Sequence, residues 1–467
     1  MFAATGLAYL SLSVAKEPLT PIADNTTAVP GAGVPFDFFS APRAAGTRVS
    51  FTGSGGGGNG PGGVYITDMA AVSKGNDPPA IAPVFSVGDP FPGGGKINQT
   101  GDVALCTDGT VAFFAASKPV KCWPGWGCSG ALLVSHPVDS SPVSARHLEV
   151  AVSIGSPAPG GDGKLVAFEF SAGPTAAGTA LSGLHLVFVG LTDTGMKIMY
   201  RASKAGQQRR RLDETPGPGG GWTLTKLLTN SSAMPHPDEK MRFVDIATGE
   251  GGAPISMDGD RVVFFGGNRK GIMHPDMRDG IYEWTDKAGV QYVASSNHTA
   301  VPGKDDAFHF IGFGSASLAQ NTAGESVICF MAEAGDEKSP PIVGIWCQHK
   351  SVLVYIVGST SVIPDSPEPT SPHNLFQYVD YPSVSIGKDG LSYMVVFQGN
   401  DGLGRRGVYR ALAPEQLETV TDWQDSVMPK QGGVFNIQLN TPSFTGGTVA
   451  IWLGFKSGNE GIFATSA

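Results

Sequence analysis

Chemistry, if this chain performs any, has few residues to work with. Polar side chains recur one position after a Phe: Phe36-Asp37, Phe168-Glu169, Phe308-His309, Phe376-Gln377 and Phe435-Asn436, with one shifted copy, Phe243-Val-Asp245. Alternate residues of a strand point to opposite faces, so each polar group stands away from its Phe. Asp37, Glu169, Asp245, His309, Gln377 and Asn436 would then form a mixed polar ring. Oxygen-rich rings with one His can hold Ca²⁺ or another divalent cation, with Asp37, Glu169, Asp245 and His309 as the candidate ligands. Strands that border water carry polar residues in any case, which explains the same six. The loop Trp123-Pro-Gly-Trp126 offers two indoles that could stack on a sugar or close a local apolar cluster. No zinc-protease, phosphate-loop or Gly-x-Ser-x-Gly motif is present. The glycine run from Gly53 to Gly63 matches a dinucleotide fingerprint only formally, since no helical pattern follows. Arg209-Arg210-Arg211, Arg405-Arg406 and His274-Pro-Asp276 read as surface loops.

Five cysteines and four glycosylation tripeptides speak to compartment. Cys122 and Cys128 bracket the Trp loop at a spacing that can close a small disulfide. Cys329 and Cys347 fall on successive strand candidates, 326–330 and 344–347, where a cross-strand bridge is feasible. Cys106 is left free. Paired C-x2-C spacing for zinc is missing. Asn25, Asn98, Asn230 and Asn297 each open an N-x-[ST] tripeptide in a loop context. Together these favour a secreted, cell-surface or organelle-lumen location. The net charge of −9 disfavours a nucleic-acid partner, and no run of apolar residues is long enough to form a transmembrane segment. The first fifteen or so residues lack the basic start of a signal peptide and read as part of the mature fold.

The elements that must position these residues follow from composition and repetition. Of 467 residues 65 are Gly and 35 Pro, with 41% hydrophobic and 16% charged. Gly and Pro at that density cut short every element between them, which excludes long helices, while the apolar content supports a large core. A short apolar run recurs as Arg48-Val-Ser-Phe51, Thr110-Val-Ala-Phe113, His185-Leu-Val-Phe188, Arg261-Val-Val-Phe264, Val327-Ile-Cys-Phe330, Met394-Val-Val-Phe397 and Thr448-Val-Ala-Ile451. After most runs comes a Gly-apolar-aromatic start, as in Gly63-Val-Tyr65, Gly280-Ile-Tyr282, Gly344-Ile-Trp346 and Gly407-Val-Tyr409. Four short strands per unit of roughly 67 residues, seven times, is the unit of a β-propeller, in which each sheet is covered on both faces. The fold expected is therefore all-β, a single seven-bladed β-propeller over 1–467. Its units run approximately 32–94, 95–160, 161–235, 236–303, 304–370, 371–430 and 431–467 plus 1–31.

Closure is also legible. Asn25-Thr-Thr-Ala-Val-Pro-Gly31 repeats almost letter for letter as Asn297-His-Thr-Ala-Val-Pro-Gly303, between the outer and inner strands of consecutive units. The N-terminal segment should therefore supply the outer strand of the last blade and remove the open edge. Gly6-Leu-Ala-Tyr9 resembles a further strand, surplus to the last blade or available to pair with a second molecule. Asn98-Gln-Thr-Gly101 and Asn321-Thr-Ala-Gly324 followed by Val327-Ile-Cys-Phe330 resemble the NxxGxxxxAF tandem-repeat proteins. The resemblance implies an exported, mostly bacterial β-propeller, often surface-anchored, with no established activity. The functional expectation is a non-enzymatic extracellular or surface module for binding or structural assembly, with a protein or glycan partner on a loop face. The alternative is a metal-assisted lyase or hydrolase acting on a glycan or lactone at the channel mouth.

Overall fold

The computed structural model describes residues 18–466 apart from 41, 58–61, 72–78, 93, 118–129, 138–145, 169–174, 180–182, 205–220, 236–240, 247–254, 269–278, 297, 305–307, 337–339, 365–370, 413–415, 423–433, 440–443 and 446. Alternation does most of the folding. Neighbouring residues Phe113 and Phe114 point to opposite faces of one sheet: Phe113 stacks on Phe85 at 5.5 Å, and Phe114 meets Phe168 at 4.8 Å. Val395 and Val396 divide in the same way between two separate cores. Each apolar run thus serves the seam on either side of its sheet, and each fully buried Phe contributes on the order of 2–3 kcal/mol. Seven such cores are formed, each between two adjacent sheets.

The result is a seven-bladed propeller of antiparallel sheets. Blades 1 to 6 span 36–86, 99–153, 165–229, 245–295, 309–358 and 376–422. Blade 7 combines 434–466 with the strand Thr20–Asp24, which pairs with Glu460–Ser466 and closes the ring as expected. Each blade runs inner, second, third, outer. In blades 1, 3, 4 and 7 the inner strand is broken into two pieces that pair with the same second strand. The inner strand of every blade touches that of the next, all the way round. Starts of inner strands and hairpins between second and third strands therefore share one face of the ring, here the upper face. Among the described residues no helix is long and apolar enough to cross a membrane.

Blade-to-blade connections follow one design that is wider than the single repeat noticed in the sequence. The N–H of the last outer-strand residue is capped by a side-chain oxygen: Asp24 by Thr27 at 3.0 Å, Ser86 by Asp89 at 2.8 Å, Ser153 by Ser156 at 3.3 Å, Thr229 by Ser232 at 2.8 Å, Ser295 by Thr299 at 2.9 Å and Gly358 by Ser361 at 3.2 Å. Each capping residue is followed by x-apolar-Pro or Pro-apolar-Pro, as in Ser361-Val-Ile-Pro364. The oxygen satisfies a donor the ending ladder abandons, and Pro forbids the strand from continuing.

A disulfide joins Cys329 and Cys347, which face each other on the second and third strands of blade 5 and are both buried. Cys106 is free and buried, and desolvation pushes its thiol far up. Cys122, Cys128, Trp123 and Trp126 lie outside the described residues, as does the segment Gly6–Tyr9.

Candidate functional site

β-Bulges decide what the upper face presents. In blade 6 the inner strand Phe376–Ile386 slips register twice against its partner, first between Phe376 and Tyr378 and again between Asp380 and Ser383. Each slip re-aims the residues around it. Phe376 is held in the core, edge-on to Tyr409 at 4.8 Å, while Tyr378 is 40% exposed. Tyr381 has φ +53, in the left-handed region that a bulky side chain rarely adopts.

These two bulges border a polar cavity of about 290 Å³ at the seam of blades 6 and 7. Its walls are Tyr378, Asp380 and Tyr381 from the inner strand, Gln398, Gly399 and Asn400 from the end of the second strand, Arg406 from the start of the third, and Gln438 of blade 7. Asp380 is anchored on both oxygens. Oδ1 accepts from the Tyr381 N–H at 2.7 Å and from the Ser315 hydroxyl of blade 5, and Oδ2 accepts from the Tyr378 hydroxyl at 2.8 Å. Arg406 donates to Asn436 Oδ1 of blade 7 at 2.6 Å, and the Leu439 N–H donates to Gln398 at 3.3 Å, so both blades hold the cavity in shape. Burial, then the Asp380 charge, pushes both phenols up, so Tyr378 and Tyr381 stay protonated and neutral at ordinary pH. Asp380 and Arg406 line the same cavity but form no ion pair with each other. Opposite charges held apart across a small polar space leave hydrogen-bonding capacity for a ligand.

The polar ring read from the sequence is not one ring. Asp37 and Gln377 do share a register position, the bulged residue after the buried Phe36 and Phe376. The blade 5 counterpart of Phe36 is Phe310, edge-on to Trp346 at 5.1 Å as Phe36 is to Tyr65 at 5.0 Å. His309 therefore stands two residues before the Asp37 position, and Ile311 takes the bulge. In blade 7 Val434 holds the Phe36 place, which puts Asn436 one position late, level with Asp245, Phe38 and Tyr378. The Phe-polar pairs were aligned without the bulges, and a one-residue slip turns a side chain to the other face. Each described member has its own local setting. Asp37 is exposed and accepts from the Gly57 N–H, Asp245 is 3.4 Å from Lys197, and Asn436 binds Arg406, while the buried Nδ1 of His309 has no hydrogen-bond partner. Glu169 lies outside the described residues. Among the described residues no three His, Cys, Asp or Glu side chains converge to hold a metal ion.

The tripeptide asparagines differ in the same way. Asn25 is committed at both ends, donating to Phe36 O at 3.3 Å and accepting from the Glu460 N–H, so it stitches blade 7 to blade 1. Asn98 is exposed and donates to Ser117 O at 2.7 Å; the Asn230 N–H donates to Lys197 O. Asn297 is outside the described residues. Asn321 makes a tight hairpin, its Oδ1 accepting from Ala323 and Glu325 at 3.0 Å each, whereas Asn98 opens an inner strand; the two Asn-x-x-Gly copies occupy different places in their blades.

Arg406 corrects the reading of Arg405-Arg406 as a plain surface loop. Tyr378, Asp380, Tyr381, Asn400 and Gln438 were missed entirely. One signal existed: Tyr378-Val-Asp-Tyr-Pro382 crowds two phenols, a carboxylate and a Pro into one inner strand, a combination the other described inner strands lack.

No family model matches the chain, and no curated protein does. Among solved structures it is similar to the β-propeller domain of the Trilobed protease from Pyrococcus furiosus, with TM-score 0.46 and 11% identity over 92% of this chain and 95% of that one. It is also similar to Trypanosoma rangeli sialidase, with TM-score 0.41, 10% identity, 85% of this chain and 58% of that one. A third is the BP39L lectin from Burkholderia pseudomallei, with TM-score 0.36, 11% identity, 92% of this chain and 97% of that one. At these values the likeness is one of propeller fold alone.

Proposed function

We propose that the protein is a non-catalytic propeller module of the extracellular space or cell surface that binds a glycan in the cavity between blades 6 and 7. The observation that carries this reading is that Asp380 and Arg406 face one cavity without pairing, among carboxamides and two phenols. Planar groups that donate and accept in pairs, beside an aromatic face, suit a polyhydroxylated ring. The buried disulfide of blade 5 supports an oxidising compartment.

Binding is favoured over cleavage by the state of the one carboxylate in the walls. Glycoside hydrolysis generally needs two carboxyl groups, one of them free to give or take a proton. Both oxygens of Asp380 are already engaged, and the neighbouring phenols are held protonated. Titration of the full chain against a panel of neutral and acidic saccharides tests the proposal. The expected result is saccharide binding that Arg406→Ala and Tyr381→Ala each weaken at least tenfold, with no new reducing ends released. Release of reducing ends would instead establish the hydrolase reading. Binding untouched by either substitution would remove the cavity from the account.

A further inference from the structure

Resting on that glycan reading, we infer that the ligand is an oligosaccharide which leaves the seam cavity, crosses blade 7 and lies against Phe38 of blade 1. Phe38 and Tyr378 occupy the same register position in their blades. Each follows a single bulged residue after a core Phe, Phe38 pairing with Ser54 and Tyr378 with Asn400. Their side chains are consequently presented in the same way on the upper face. Phe38 is 54% exposed and joins none of the ring contacts made by its neighbours Phe36 and Phe39. An unpacked Phe at the mouth of a ring forgoes the stabilisation that burial would give, on the order of 2 kcal/mol, which the fold gains at most other Phe among the described residues.

Blade 7 lies between the two rings, and its residue at this register position is Asn436. The series along the upper face is thus Tyr378, Asn436, Phe38, with Arg406 bonded to Asn436 at 2.6 Å. Each sugar ring of a glycan carries both an apolar C–H face that can stack on an aromatic ring and hydroxyls that can hydrogen-bond an amide, so this series can be met by successive rings of one oligosaccharide. The seam cavity, at about 290 Å³, is at the small end of ligand pockets and has room for one ring, so further rings must lie outside it.

The test compares neutral and acidic monosaccharides with the matching tetrasaccharides by titration calorimetry on the full chain, and then on Phe38→Ala and Phe38→Tyr. A tetrasaccharide is expected to bind at least tenfold more tightly than its monosaccharide. Phe38→Ala should remove about fivefold to tenfold of that gain, and Phe38→Tyr should restore it. Unchanged thermal unfolding of Phe38→Ala would show that its exposed ring was not holding the fold together. Equal affinity for the two lengths, or a gain that survives Phe38→Ala, overturns the inference and leaves the cavity reading standing. Failure of every saccharide at either length overturns the cavity reading itself.

Discussion

Glu149 should be worth more to the fold than any other surface carboxylate, and its contribution should fade in acid. It sits on the outer strand of blade 2, where Lys204 of blade 3 donates to both its oxygens at 2.7 and 2.6 Å. His136 Nε2 lies 2.7 Å from Oε1, and Thr110 Oγ1 is 3.2 Å from the other ring nitrogen. Lys204 also stands over the Trp222 ring at 6.0 Å, so the ammonium is fixed from two sides. Burial pushes the Glu149 carboxyl up, but the hydrogen bonds and charges of His136 and Lys204 outweigh it and hold the group at about 2. Set against an ordinary value of about 4.3, two units or so correspond to about 3 kcal/mol of linkage. The Glu149 side chain is 14% exposed but Lys204 is 33% exposed, which cuts the expectation to about 2 kcal/mol. The sign follows from the depressed value: the stabilisation is complete above the unfolded value and is lost as pH falls from about 4.3 towards 2, with about half gone by pH 3. Glu149→Gln should therefore lower the urea midpoint at pH 7, and the gap from the parent protein should roughly halve by pH 3. Equal midpoints at pH 7, or a gap that stays constant between pH 5 and 3, would refute the account of this clasp as an electrostatic tie between blades.

Two further outcomes test the scaffold around the proposed site. Replacing both Cys329 and Cys347 by Ser opens a link across a sequence separation of 18, and chain-entropy reasoning expects a loss of about 3 kcal/mol, read as a lower denaturant midpoint that reductant no longer changes. In Gly399→Ala, at the cavity wall, the new Cβ would come 2.6 Å from Cε1 of the core residue Phe376, so the ring must shift. Stability should fall by about 1–3 kcal/mol and saccharide affinity should fall with it, measured by calorimetry on the same preparation.

The seven-fold architecture was readable because each repeat carries its own marker. One apolar run recurs per blade, ending in Phe in all but the last, and a Gly-apolar-aromatic start follows in most, and burying both faces of a sheet needs no more than that. Ring closure was readable because Asn25–Gly31 copies Asn297–Gly303. Register was not. A bulge adds a residue without any mark in composition, so His309 and Asn436 looked equivalent to Asp37 while standing two places before its position and one place after it. The cavity was hidden for a second reason: its walls come from three strands of blade 6 and one of blade 7, over sixty residues of sequence, and they meet only once the blades are stacked.

Repetition itself then shows where function can reside. Positions held alike in all blades serve packing, so a blade that departs from the others at equivalent positions has another reason to do so. Where blade 5 carries Gly312, Gly314 and Ser315, blade 6 carries Tyr378, Asp380 and Tyr381 in the same register. Glycine or serine meets the tight double bulge at little cost. Tyrosine at φ +53 does not, and the strain is on the order of 1–2 kcal/mol. Nor is the strained residue left loose. Its N–H is held by Ser315 at 3.0 Å and by Asp380 at 2.7 Å, so a neighbouring blade and an anchored carboxylate both fix it in place. A fold that needed only closure would have kept the blade 5 residues. Strain retained, braced from a second blade and aimed into a cavity is what a preorganised binding wall requires, and among the described residues that combination falls at the seam of blades 6 and 7.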